Sequence, residues 1–335
     1  MSSAIGVPVG PASTVSNAGA PAPSRARRGD QVFRAVTLAA GIFTLGILAA
    51  IGVFLLIQAI PALTHDKGNF FTTKTWSPDG TAVFGIAALA FGTVLSSLLA
   101  LVIAFPVALG VALFIVEYAP RRLSRVLGYA VDMLAAVPSV VYGLWAVYFL
   151  LKNMIPLQRF LSVHLGWIPL FADPEHKAAR YSQSIFAAGI ILAIMVLPII
   201  AAISREVLSQ VDPAQREAAL ALGATHWEMI RTAVLPPSRP GIIGATMLGL
   251  GRALGETIAV ALVIGATFDV SLHILVPGGN SIAANIANLF GESGITGRSA
   301  LIASGLVLFA ITLAVNLAAR AIIYRAGAVE RSAAV

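Results

Sequence analysis

The sequence contains no cysteine, which excludes disulfides and thiolate metal sites. It is also poor in charge. Asp, Glu, Lys and Arg make up 11% of the 335 residues, where a soluble domain carries roughly a quarter. So few charges in a chain this long mark an integral membrane protein. Lysine is especially scarce. Lys67, Lys74, Lys152 and Lys177 are the whole set, and none follows the Gly-x-x-x-x-Gly run that cradles a nucleotide phosphate. Lys74 precedes Thr75 but has Thr73 before it. The chain is therefore expected to be no enzyme, with any ATP-derived energy supplied by another chain. The histidines, His65, His164, His176, His226 and His273, lack metal-ligand spacing, so no metal or other cofactor is expected. The net charge of +7 does not point to nucleic acid, because excess Arg and Lys in a membrane protein mark cytoplasmic loops. No apolar stretch lies close enough to Met1 for a cleaved signal, so the first one reads as a retained span.

What is abundant is apolar sequence, 58% of the chain. A helix needs about 20 such residues to cross the hydrocarbon. Six stretches qualify, at 35–61, 83–116, 126–151, 184–203, 241–268 and 299–324. The expected fold is an all-α, six-span membrane protein. The second stretch is read as one helix bent near Pro106; Pro138 and Pro198 are read as span kinks. With both termini in the cytoplasm, most Arg and Lys fall inside, including Arg34, Arg121, Arg122, Arg125, Arg205, Arg216, Arg231, Arg239 and Arg320. The expected location is thus multi-pass in the cell (inner or plasma) membrane. Residues 1–28, rich in Pro, Ala, Ser and Gly, are expected to be a disordered cytoplasmic tail. Residues 29–82 hold the first span and an irregular outer loop, and 326–335 a cytoplasmic C-terminal tail. The outer loop at 152–183 is polar, with Phe160, Trp167, Phe171 and Tyr181 suited to an interface belt. In 269–298, Ile282, Ile286, Leu289 and Phe290 have helical spacing behind Asn280 or Ser281 as a cap. That segment is either an amphipathic helix on the outer surface or a loop helix packed on the bundle.

The long cytoplasmic connection, "SREVLSQVDPAQREAALALGATHWEMIRTAVLPPSRPG", is built from local signals. Asp212 and Pro213 start a helix that runs to about Leu222, and Gly223 ends it. Thr225 and Glu228 form a capping box that starts another. This second helix presents Trp227, Ile230 and Val234 on one side, and Pro236 with Pro237 is expected to stop it. Two short helices with an apolar face suit docking into a groove on a partner or, alternatively, lying on lipid. "EAALALGATHWEMIRTAVLP" resembles the EAA motif of ABC-importer permeases. Glu217, Ala218, Ala219, Gly223, Leu235 and Pro236 match it, while Ala233 stands where Ile is usual. The resemblance implies that this loop, 212–236, sits in a cleft of an ATPase subunit.

A positive and a negative charge interrupt the fifth stretch at "GLGRALGETIAVALVIG". Each costs about 2.5–3.5 kcal/mol at the bilayer centre on insertion scales. Arg252 stands roughly twelve residues in, some 18 Å from the cytoplasmic end. Glu256 follows four residues later, so the spacing predicts one shared face and a pair. Gly251 and Gly255 are expected to admit a neighbouring helix. The pair is either a lock between helices or a site on a solute path, with the guanidinium fork suited to oxyanions. Asp132 is placed near the inner interface. "GRALGETIAVALVIG" resembles the Arg-Ala-x-Gly-Glu-Thr stretch of phosphate-specific ABC-importer permeases. "AAVPSVVYGLWA" at 135–146, with Pro138, Ser139, Tyr142 and Gly143 matching, resembles their third-span motif, and "NSIAANIANLFGE" at 280–292 their last outer loop. The Ala-Val after "GETI" favours the PstC-type subunit. Together these motifs cover most of residues 83–325, implying a MetI-like permease transmembrane domain there.

The resemblance implies a subunit that supplies half of a phosphate pathway through Arg252 and Glu256. Its implied partners are a second, PstA-type permease, two ATP-binding subunits and an extracytoplasmic phosphate-binding protein, all set in membrane lipid. Two other readings stand beside it. One is an importer for another oxyanion, such as sulfate or molybdate. The other is a membrane scaffold or sensor without a conduit, in which the charges only lock helices.

Overall fold

The computed structural model describes residues 28–173 and 183–333. The tail expected at 1–28, apart from its last backbone position, and Tyr181 of the interface belt lie outside the described residues. The chain divides into two units, residues 1–51 and 52–335. The first contains most of α1 (Arg28–His65), whose described residues from Gly29 to Ile51 are all exposed. From Gly52 onward α1 belongs to the second unit, where Ala59 and Ala62 are buried beside Phe84 and Leu89. The irregular outer connection contains a two-residue hairpin, β1 (Trp76–Ser77) and β2 (Val83–Phe84), paired antiparallel.

Two helices form the centre of the second unit. α2 (Ala87–Leu113) lies along α6 (Ile185–Ser209), the most deeply buried helix. The face that α2 buries carries Gly92, Ser96, Ala100, Ala104, Ala108 and Ala112, a small residue at every fourth position. That spacing sets a row of small residues that winds slowly around the helix and brings backbones close. α6 answers with Gly189, where a Cβ would stand 2.5 Å from Leu99. Around this pair, Ile191, Leu192, Val196 and Ile200 are almost wholly buried. Pro198 is accommodated inside an unbroken α6, and Pro106 inside α2.

The remaining helices depart from the expected reading at several points. The third crossing is displaced. Residues 121–135 form a separate amphipathic helix, α3 (Arg121–Ala135), and the long apolar helix begins only at Ser139. Pro138 starts α4 (Ser139–Trp145) instead of kinking a span, since the residue before a proline is pushed out of the helical region. α4 continues through a π turn at 146–150 into α5 (Leu151–Leu165), so Lys152 and Arg159 lie on this helix and not in a loop. The fifth stretch is broken: α9 (Leu235–Leu254) and α10 (Ile258–Val263) are separated at Gly255-Glu256-Thr257. Among the described residues five helices are therefore long and apolar enough to cross a membrane, and the fifth expected stretch is an interrupted one.

Pro236 and Pro237 do not stop the helix before them. α7 (Pro213–Ala221) and α8 (His226–Met229) form as expected, but α8 passes through a π turn at 230–234 directly into α9. The prolines occupy the first turn after that register shift, where a missing N–H is tolerated. Finally, α11 (Ile282–Leu289) is a packed loop helix. Ser281 caps it, and Ile282, Ala283, Ala284 and Asn285 are buried. Its first amide donates to the Thr93 hydroxyl of α2 at 2.9 Å. α12 (Ile295–Ala333) closes the unit; its backbone stays helical from 326 to Ala333, where a tail was expected.

Candidate functional site

Arg252 occupies the last turn of α9, at the break. The orphan carbonyls and the dipole at a helix C-terminus favour a cation there. Arg252 is exposed on this chain and has no hydrogen bond or ion pair among the described residues. The expected pair with Glu256 is absent. Because α9 ends at Leu254, the four-residue spacing no longer places the two side chains on one face. Glu256 is instead 9% exposed, and its carboxylate accepts the Ala259 amide at 3.2 Å. The acid thus holds the first turn of α10 and leaves the guanidinium open.

A second element faces this break. The phenol of Tyr142, on α4, lies within electrostatic reach of Arg252. Its hydroxyl donates to the Leu134 carbonyl at 3.0 Å, bridging the α3–α4 joint. Gly143 lets α10 come close, since a Cβ there would meet the Ala259 backbone at 3.0 Å. Among the described residues no neighbouring helix stands over Gly251 or Gly255. The close approaches along α9 are at Gly241, against Val207, and at Gly249, against Ile200.

The 212–236 loop is held firmly. Asp212 accepts the Ala214 amide at 2.9 Å, and Gly223 has φ +87°, a backbone region closed to most side chains. The Thr225–Glu228 capping box is complete. The Thr225 backbone N–H and hydroxyl both donate to the Glu228 carboxylate, each at 2.8 Å, and hold it below its ordinary range. The apolar face, however, points inward. Met229, Ile230 and Val234 are buried against Ala112, Leu208 and Ile242. Trp227 is not on that side; it is 57% exposed, as are Leu220 and Leu222 to a comparable or greater degree. Glu217, Ala218 and Gly223 are exposed, while Ala219, Leu235 and Pro236 are half-buried.

Sequence reasoning missed how the loop is tied to the bundle. Arg216 donates to Glu117 on the π turn after α2 at 3.2 Å, to Leu208 O at 2.8 Å and to Val211 O. One side chain therefore joins α7 to the ends of α2 and α6. Glu117 is separated from it by 99 positions, and no local pattern links them. Asp132 likewise has a partner invisible in the sequence, Arg205, at 3.1 Å.

Comparison with known proteins agrees with this architecture. Residues 104–327 match the family described as binding-protein-dependent transport system inner membrane component. The chain is 46% identical over 302 residues to "Phosphate transport system permease protein PstC 2" of Mycobacterium tuberculosis, covering 89% of this chain and 92% of that one. It is 44% identical over 299 residues to PstC of Mycobacterium leprae, covering 88% and 93%. Among solved structures, a bacterial ABC transporter involved in alginate import aligns with a TM-score of 0.56 at 20% identity, over 89% of this chain and 96% of that one, and shares the fold. The chain belongs to the family of binding-protein-dependent transport system inner membrane components, with PstC permeases among its relatives.

Proposed function

We propose that the chain is the permease subunit of an ATP-driven importer for inorganic phosphate. It forms half of the pathway and lies in the cell membrane with both termini cytoplasmic. The observation that carries this reading is Arg252: a guanidinium at a helix end, exposed and unpaired among the described residues, beside a break. A forked, permanently charged donor set binds two oxygens of a phosphate at once. A conduit needs binding strong enough to admit the anion and weak enough to release it. With Glu256 engaged at α10, release would come from movement of the break itself. The relatives named for phosphate transport support the same substrate.

The open side of α9 at Gly251 and Gly255 suits a second, PstA-type permease packed closely across the path. Glu217, Ala218, Gly223 and the exposed Leu220, Leu222 and Trp227 offer the surface for an ATP-binding subunit, two of which would complete the complex. Arg216 would carry their motion into α2 and α6. An extracytoplasmic phosphate-binding protein would deliver the anion.

Phosphate uptake by cells carrying Arg252→Gln tests the reading. Loss of uptake with the complex assembled at normal levels is expected. Normal uptake would overturn it, and loss of assembly would favour a helix lock. Uptake of sulfate or molybdate in place of phosphate by the wild-type complex would reassign the substrate.

A further inference from the structure

Apart from the break, α3, α6 and the π turn after α2 line an open groove of about 400 Å³. Its polar lining comes from Ser124, Arg125 and Tyr129 of α3 and from Arg205 and Ser209 of α6. One guanidinium nitrogen of Arg205 spans both oxygens of Asp132, at 3.2 and 3.1 Å. That bond orients the group, and Nη1 then lies over Gly128, in the space a Cβ would take. Arg125, one helical turn before Gly128, has no bonded partner among the described residues. Two guanidinium groups against one carboxylate leave the hollow positive. The Ser124 hydroxyl adds a donor, while that of Ser209 donates to the Glu206 carbonyl at 2.7 Å.

This is the chemistry of a phosphate-bearing anion. The remainder of α3 says which kind. Beside the groove α3 exposes Val126, Tyr129, Met133 and Leu134, at 63%, 65%, 75% and 51%. Its first turns carry Arg121, Arg122 and Arg125. A helix charged at one end and apolar on an exposed face lies in the membrane interface. Basic pockets between helices on the cytoplasmic side hold anionic headgroups. We infer that this groove binds the phosphodiester headgroup of an anionic lipid, whose chains lie along the apolar face of α3. The assignment to the inner leaflet rests on the orientation proposed above; headgroup binding does not.

The test is lipid retention by the purified, assembled complex, exchanged into nanodiscs containing phosphatidylglycerol and phosphatidylcholine and read by native mass spectrometry. The wild type is expected to retain phosphatidylglycerol preferentially. Arg125→Gln is expected to weaken that preference about fivefold, and Ser124→Asp to abolish it, both with unchanged assembly. Arg252→Gln should retain lipid normally, which separates this site from the pathway. Equal retention of both lipids by the wild type, or undiminished preference in both variants, would overturn the proposal. Displacement of the lipid by millimolar inorganic phosphate would also overturn it, since the hollow would then be a free-anion site.

Discussion

The Arg216 guanidinium and the Glu117 carboxylate meet at 3.2 Å with only 18% and 5% of their side chains exposed. They join the 212–236 loop to the end of α2, 99 positions earlier in the chain. Removing one member of a buried pair leaves the other charge uncompensated, at about 3–5 kcal/mol. Arg216→Ala should therefore loosen the loop strongly, and Arg216→Ala with Glu117→Ala should cost less than the two single changes combined. Hydrogen exchange over residues 208–224 in the assembled complex reads this out. An unchanged loop in Arg216→Ala would refute the tether.

Glu256 offers a cleaner separation of charge from geometry. Its carboxylate accepts the Ala259 amide, and a glutamine carbonyl can do the same. Glu256→Gln should match the wild type in assembly and melting temperature, whereas Glu256→Ala should lose about 1 kcal/mol as a missing helix cap does. Equal stability of the alanine and glutamine variants would show that the bond contributes nothing.

Two glycines should behave oppositely. A Cβ on Gly92 would collide with the backbone carbonyl of Asn280, which cannot move as a side chain can. Gly92→Ala should cost at least the 1–3 kcal/mol typical of overpacking. A Cβ on Gly251 meets nothing within 4 Å among the described residues. Gly251→Ala should leave its fold intact, so any loss it causes should appear in co-purification of a second permease. Expression and melting of the two variants compare them directly.

The capping box gives a pH prediction. Glu228 is held below the ordinary carboxylate range by Thr225. A depressed folded value means that the ionised box stabilises the loop above the unfolded carboxylate range and is lost as pH falls through the folded value. Thr225→Ala should remove this acid-dependent component and expose the start of α8 to exchange at neutral pH. Identical exchange profiles for variant and wild type between neutral and acid pH would count against it.

Much of the loop was readable in advance because its signals are local. Asp212-Pro213, Gly223 and the Thr225–Glu228 spacing each act within a few residues, and each forms as the spacing predicts. The small-residue stripe of α2 went unread in the sequence, since it acquires meaning only beside Gly189 of α6. Span boundaries were less legible, since hydropathy does not register that Pro138 must begin a helix or that α9 ends at Leu254.

The sequence by itself determined the class. Scarce charge and long apolar runs leave an integral membrane protein. Its motifs placed Arg252 and Glu256 in one apolar stretch. Tertiary structure alone decided that they stand apart. Glu256 meets the start of α10 because the helix breaks between them, and a break changes which faces residues four apart present. It alone also brought Glu117 to Arg216 and Asp132 to Arg205, because pairs so distant in sequence are matched by packing and by no local pattern.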